Sequence, residues 1–359
     1  MKVCWLSNYY SPYKLKLFEQ LSKQIELTAI MLGGSEGENR NSEWVLNENH
    51  NFKVILIDDN YKQTIKKLAQ ENDIFIDSMY CTSYGYFGVS AFRKENKKTV
   101  MYADGGIAKD RGFFINKAMS YLMNRHDYFF SSSVVTNDYF KYYGVEESKI
   151  FTYRFTSLTK QDLIDNKALI NHKQEFRKEL NIDDKFTIIS VGQPIDRKGF
   201  DILLNSYIKT NKTDDINIYI VGGKPQENVR KIVEDNSLSN VHFIDLITSD
   251  ELKKYYAASD IFVLCTREDI WGLVIEEAMS FGLPVITSDN CVAGLHFNKL
   301  NNSVLINGVK DTDGYSKDIV KLYENKDYLK QKSMESLSSI EEYSIENSAC
   351  DLTTILNNI

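Results

Sequence analysis

Short apolar runs recur along the chain, and between them lie segments whose apolar residues return every three or four positions. An apolar run of four to six residues bounded by polar or glycine positions reads as a buried strand, and the 3.6-residue period reads as a helix. In the first half this pattern predicts strands near 3–6, 27–31, 54–57, 74–76, 99–102, 128–131 and 150–153, with helices near 14–24, 61–71, 86–94, 116–125 and 136–143. From Thr156 to about Lys185 the chain turns polar, which predicts an interdomain linker and one helix. A second series follows, with strands near 186–191, 216–221, 241–243, 261–264, 285–287 and 303–306 and helices near 200–210, 227–235, 249–258, 273–281 and 314–324. Beyond Leu329 one or two further helices are expected.

Strands alternating with crossover helices build parallel sheets covered on both faces. Two such series in tandem predict an α/β protein of two Rossmann-like, doubly wound domains, residues 1–160 and 161–342. Ligands of open parallel sheets bind beyond the carboxyl ends of the strands. The default site is therefore a cleft between the two domains, with a hinge near 156–185. A length of 359 residues suits two domains, and 43% hydrophobic with 26% charged residues suits ordinary globular cores. The net charge of −7 argues against a nucleic-acid partner, which needs a basic surface. Cys4, Cys81, Cys265, Cys291 and Cys350 are scattered without metal-ligand spacing and read as free thiols of a reducing compartment. The first apolar run is too short for a secretory signal, and no stretch approaches the length of a membrane span, so a cytoplasmic location is expected.

The most informative stretch is DIFVLCTREDIWGLVIEEAMSFGLPVITSD, residues 260–289. A buried strand runs into a polar loop, then Gly272, then a helix whose free N–H groups and dipole suit a phosphate. Asp269 precedes the turn and Glu277 lies inside the helix, a placement by which two acids can engage separate parts of one ligand; Glu268 and Glu276 repeat the same spacing. A second stretch, SVGQPIDRKGFDILL at 190–204, ends a strand at Gly192 and opens a helix after Lys198. A departing diphosphate needs positive charge or oriented donors of this kind.

With the frame D-I-W-G-L-V-I-E-E-A-M-S-F-G-L-P-V, the first stretch resembles glycosyltransferase family 4, the retaining GT-B enzymes also described as glycosyl transferases group 1. The resemblance implies the GT-B fold, two Rossmann-like domains facing across a cleft, with a C-terminal helix near 343–359 that returns to the first domain. It implies that Asp269 holds hydroxyls of the transferred sugar, where the family usually has Glu, and that Glu277 takes both ribose hydroxyls of the donor. The family's V-G-R-x-x-x-x-K-G pattern is matched by Lys198, while its Arg position is Gln193 here, with Arg197 a candidate to compensate. Gly192, Ile270, Trp271, Gly272, Leu273 and Val274 fall on the donor side by the same likeness. So do Gly222, at the end of IYIVGG, and Leu246 and Ile247, placed near the base.

In the first half, TVMYADGGI brings Asp104, Gly105 and Gly106 to a strand end where the family often carries a histidine. Asp104 is thus a candidate to orient the acceptor or steady the reacting carbon. Tyr10 and Tyr13, with Gly105 and Gly106, are the candidate acceptor wall. Lys198, Asp269 and Asp104 are the implied catalytic set. None of the five histidines sits at metal or triad spacing, and no Asp-x-Asp stands beside a strand, so no metal and no cofactor are expected. The apolar 113–125 segment with Lys117 and Arg125 is a candidate contact with the inner face of the membrane. The function implied is transfer of a hexose from a nucleotide diphosphate sugar, most naturally UDP-linked, to a glycan or lipid-linked acceptor in bacterial surface polysaccharide synthesis, including capsule and lipopolysaccharide. A sugar-nucleotide epimerase of the same fold and a non-enzymatic sugar-binding protein are the alternatives.

Overall fold

The computed structural model describes residues 1–8, 11–32 and 50–359, which form two compact units: Met1–Ser157 with Tyr343–Ile359, and Leu158–Glu342. In the first unit the chain runs β1 (Lys2–Ser7), α1 (Pro12–Leu21), β2 (Glu26–Leu32), β3 (Lys53–Ile57), α2 (Tyr61–Glu71), β4 (Ile74–Asp77), α3 (Ser83–Lys94), β5 (Lys98–Ala103), α4 (Phe113–Met123), β6 (Tyr128–Ser131), α5 (Val134–Tyr142) and β7 (Ile150–Thr152). All seven strands are parallel, in the order β3-β2-β1-β4-β5-β6-β7. Central strands such as β1 are buried on both faces, because helices cover both sides.

The second unit opens with α6 (Lys160–Leu169) and α7 (Lys173–Glu179). It continues β8 (Phe186–Val191), α8 (Phe200–Lys209), β9 (Ile216–Val221), α9 (Glu227–Asp235), β10 (Val241–Ile244), α10 (Ser249–Ala258), β11 (Ile261–Leu264), α11 (Leu273–Ser280), β12 (Val285–Ser288), α12 (Val292–Asn301), β13 (Val304–Asn307), α13 (Thr312–Glu324) and α14 (Lys326–Ile340). Its six parallel strands lie in the order β10-β9-β8-β11-β12-β13. Ile188, Leu203, Leu204, Ile218, Ile261 and Val263 are fully buried in its core. The last helix, α15 (Ile345–Asn358), belongs to the first unit and packs on α1. There Arg154 clamps Asp351 through Nε at 2.8 Å and Nη2 at 2.6 Å.

Two elements differ from the expectation. The polar segment after Thr156 is two helices of the second unit, not a linker. Thr159 and Asp162 form a capping box on α6, Asn166 donates to Ser280 at 2.9 Å, and the buried Arg177 donates to Asp260 at 2.7 Å. These polar residues face inward with partners, so their polarity does not mark an exposed connection. Helix α12 is unanticipated. Its Gly294 and buried His296 blur the helical period, although Val292, Ala293 and Phe297 are wholly buried.

Candidate functional site

In each sheet the strand order reverses once, between β8 and β11 in the second unit. The crossover loops leaving the carboxyl ends of those two strands diverge, and the crevice they leave is the usual ligand position. The turn Asp196–Lys198 follows β8, and the loop 265–272 follows β11. The two are stitched together. Arg267 N–H and the Thr266 hydroxyl donate to the Arg197 carbonyl at 2.7 and 2.9 Å. Arg267 also holds Asp201 with both Nη atoms, at 2.9 and 2.7 Å. Gly199 makes this close approach feasible. Its φ is +69°, and a Cβ there would stand 1.9 Å from the Cys265 carbonyl oxygen.

On this frame Lys198 Nζ meets Asp269 Oδ2 at 2.6 Å, and Arg197 Nη1 stands 3.6 Å from the other oxygen. Side chains of adjacent residues usually point apart. The tight 3-10 turn instead lets both cations reach one carboxylate, and Arg197 is fixed by a 2.7 Å bond to the Glu268 carbonyl. Asp269 is held by its backbone: its N–H donates to Asn290 at 2.9 Å, and its carbonyl accepts from Val292 at 3.3 Å. The unanticipated helix α12 thus starts by anchoring the acidic loop. Beyond Asp269, Gly272 is the N-cap of α11 with φ +99°, and no side chain caps the helix. A Cβ at Gly272 would lie 2.7 Å from Cys291 Sγ. The Leu273 and Val274 amides at this end are oriented donors for an anion.

One helical turn further in, the half-buried Glu277 accepts a 3.0 Å hydrogen bond from the Tyr256 hydroxyl. Burial raises its pKa above the ordinary carboxylate range, with the Tyr256 bond opposing and the nearby Lys198 charge pulling it down. Asp269 and Glu277 therefore share the field of Lys198, whereas Glu268 is exposed and Glu276 is wholly buried. Tyr256 is a missed member of the site; it stacks on Phe281 at 5.4 Å, and only its place one residue before Ala257-Ala258 on an amphipathic helix hinted at burial.

The other predicted donor positions spread around the same edge. Gly192 follows β8 beside the Lys198 side chain, and Gly222 follows β9 with its N–H bonded to the Ile244 carbonyl at 3.0 Å. Gln193 is exposed. Leu246 and Ile270 are 70% and 61% exposed, and Ile247 is half-buried. The Trp271 indole is turned inward, tilted against His296 at 5.8 Å, and its carbonyl accepts from Ala293 at 2.9 Å. It props the loop from behind. Burial drives the His296 pKa down to about 4, so that ring is neutral. The sequence does contain one Asp-x-Asp, Asp311-Thr312-Asp313. There Asp311 caps α13 through the Gly314 N–H at 2.9 Å, and Asp313 holds Lys209 at 2.9 Å. No group of three or more metal-ligating side chains occurs among the described residues.

In the first unit Asp104 follows β5 at the carboxyl edge, one strand from the reversal between β1 and β4. The Tyr13 hydroxyl donates to its Oδ2 at 3.4 Å, and Lys14 Nζ lies 3.8 Å from the same atom. Gly105 follows it, half-buried, and Gly106 packs so closely on Tyr139 that a Cβ would sit 2.6 Å from the ring. Tyr10 lies outside the described residues. His126, with no partner evident in the sequence, bonds Asp77 at 3.2 Å and the Met123 carbonyl at 3.0 Å, deep in the unit.

Residues 172–340 match the family Glycosyl transferases group 1. Over 146 residues the chain is 34% identical to the O-antigen biosynthesis glycosyltransferase WclY of Escherichia coli, a stretch covering 38% of this chain and 40% of that protein. The chain thus spans two fifths of the length of that relative. Among solved structures, HepE of Anabaena in complex with UDP aligns over 100% of both chains with a TM-score of 0.79 at 14% identity. WaaG, a glycosyltransferase involved in lipopolysaccharide biosynthesis, aligns over the full length of both chains with a TM-score of 0.65 at 14% identity. The fold is GT-B, built of two Rossmann-like parallel-sheet units.

Proposed function

We propose that this protein is a retaining glycosyltransferase of family 4. It moves a hexose from a UDP-sugar to a glycan or lipid-linked acceptor in bacterial surface polysaccharide synthesis. The observation that carries the reading is the convergence of Lys198, Asp269, Glu277 and the uncapped start of α11 at one strand-order reversal. The match of residues 172–340 to Glycosyl transferases group 1 and the similarity to an enzyme named for O-antigen biosynthesis support it. In this reading Glu277 accepts hydrogen bonds from the ribose diol, and the Leu273 and Val274 amides with Lys198 receive the diphosphate. Asp269 takes hydroxyls of the sugar. The bond from the anomeric carbon to the diphosphate oxygen breaks, the acceptor oxygen bonds that carbon, and the acceptor's proton is released. The developing charge on the leaving UDP falls on preorganised donors, the arrangement that lowers such barriers most. Arg197 supplies the second positive charge that Gln193 lacks.

Isothermal titration with UDP-glucose, UDP-galactose and GDP-mannose tests the donor. Binding of a UDP-sugar and transfer unaffected by EDTA are expected, with the product's anomeric proton coupling matching the donor's. Binding of free sugar in preference to every nucleotide sugar would overturn the reading, and isomerised nucleotide sugar with no transfer product would replace it by an epimerase.

The affinity for UDP is also expected to depend on pH through Glu277. Only the ionised carboxylate accepts both ribose hydroxyls, and burial raises its pKa, so affinity falls with acidification at a higher pH than an ordinary carboxylate would impose. The sign for folding is opposite: a carboxyl raised by burial favours the folded state increasingly as pH falls through its range. Titrations of UDP across pH should show the drop in the wild type and a flat profile in Glu277→Gln.

Helix α4 supports a peripheral membrane location on the cytoplasmic face. Phe113, Phe114 and Tyr121 are exposed at 72%, 84% and 60%, with Lys117 beside them. No helix among the described residues is long and apolar enough to cross a membrane. Burying each phenylalanine in lipid is worth about 1.5–3 kcal/mol. Phe113→Ser/Phe114→Ser is therefore expected to lose most cosedimentation with vesicles containing anionic lipid. Undiminished binding would remove α4 from the membrane.

A further inference from the structure

Lys14 is a charged side chain in an unusual place. It stands in the first turn of α1 and is only 2% exposed. Its Nζ lies 5.2 Å from the centre of the Tyr102 ring, which itself packs against Trp5. The one carboxylate it faces, Asp104, is 3.8 Å away, beyond hydrogen-bond reach. No described residue accepts a hydrogen bond from Nζ. An ammonium carries three donors, and a charge this enclosed is stabilised by oxygen acceptors brought to it. Asp104 is the open side of the pair, 34% exposed, and its only described hydrogen bond is the long 3.4 Å one from Tyr13. Its other oxygen, Oδ1, is buried without a partner.

We propose that Lys14 and Asp104 form a pincer for one hydroxyl of the acceptor sugar, with the hydroxyl oxygen accepting from Lys14 Nζ and its proton directed to Asp104 Oδ2. A hydroxyl oxygen set to one side of the 3.8 Å ion pair, within hydrogen-bond distance of both groups, adds two charge-assisted hydrogen bonds, the stronger kind, to a pair too long to bond directly. The ammonium also makes that hydroxyl a better proton donor, and the carboxylate stands ready for the proton. Tyr13, edge-on to Phe155 at 5.6 Å, offers an aromatic flank for the apolar side of a sugar ring. The cluster lies at the carboxyl edge of the sheet beside its strand-order reversal, where α/β sheets bind ligands. Lys14 is thereby an acceptor-contacting residue. The assignment rests on the glycosyltransferase reading for the identity of its ligand.

The test uses the full chain labelled with 15N at the lysine side chains, with the Lys14 ammonium resonance identified by its loss in Lys14→Met. Methyl glycosides of glucose, galactose, rhamnose and N-acetylglucosamine are titrated with UDP present. The expected result is a saturable shift of the Lys14 resonance by at least one glycoside. Asp104→Asn, a change at a partly exposed position, is expected to weaken it about tenfold or more, the loss of one hydrogen bond to a charged group. A Lys14 resonance unmoved by all four glycosides overturns the pincer, as does a shift that Asp104→Asn leaves unchanged. UDP-sugar binding, read separately by calorimetry, reports the donor site. Failure there with a glycoside response at Lys14 would sink the enzyme reading and leave a sugar subsite.

Discussion

Replacing Lys198 with alanine is expected to lower kcat/KM for UDP-sugar turnover by about 10²–10³, the range found when one preorganised donor to a developing charge is removed. Lys198 is the group closest to Asp269, at 2.6 Å, and is largely buried, so solvent screens its charge only weakly. The substitution should leave folding nearly intact, because Asp269 keeps its backbone anchors to Asn290 and Val292 and retains Arg197 at 3.6 Å. Released UDP measured against substrate concentration, with thermal melting of the same sample, separates the two effects. Arg197→Ala is expected to cost less, since that side chain is more exposed and stands further from the carboxylate. Equal losses would assign the diphosphate to Arg197 as much as to Lys198. Undiminished turnover in Lys198→Ala would remove this edge of the sheet from the chemistry.

The largest expected stability effect lies at Asp260, at the amino end of β11, the opposite end from the site. Its carboxylate accepts from Arg177 at 2.7 Å, Lys173 at 2.6 Å and the Thr187 N–H at 2.7 Å. Arg177 is almost wholly buried and cannot shed its charge. Asp260→Ala strands that guanidinium, and breaking a buried pair from one side costs about 3–5 kcal/mol. Urea unfolding should show this loss, while a double change of Asp260→Ala with Arg177→Met recovers much of it by removing the orphaned charge. A loss under about 1 kcal/mol in the single variant would mean that water replaces the carboxylate.

The strands were legible because each is a short apolar run, the central ones buried on both faces, and all thirteen described strands lie within a few residues of the expected positions. The paired acids and Lys198 were legible because glycines and a helix start bracket them. What the sequence concealed was polar residues turned inward. Lys14 and Arg177 look like surface cations, since their partners Asp104 and Asp260 lie 90 and 83 positions away and no local pattern announces them. The α6 start did carry a local sign, Thr159 with Asp162 three residues on, which is the capping-box spacing. Tyr256 and the start of α12 act through contacts to the α11 helix and the acidic loop, so their part emerges only once the sheet order is fixed.

The return of α15 to α1 has a consequence for how the protein is made. Ile345, Ala349, Leu352 and Leu356 bury themselves in the first unit, and Asp351 locks onto Arg154 there. A ribosome completes every strand of that sheet, then translates the whole second unit, before the residues that cover α1 emerge. At ordinary synthesis rates the delay is roughly ten to forty seconds. During that interval the nascent first unit presents an uncovered apolar flank, which makes it the part of the newborn chain most in need of a chaperone and the second unit the first to reach its finished form.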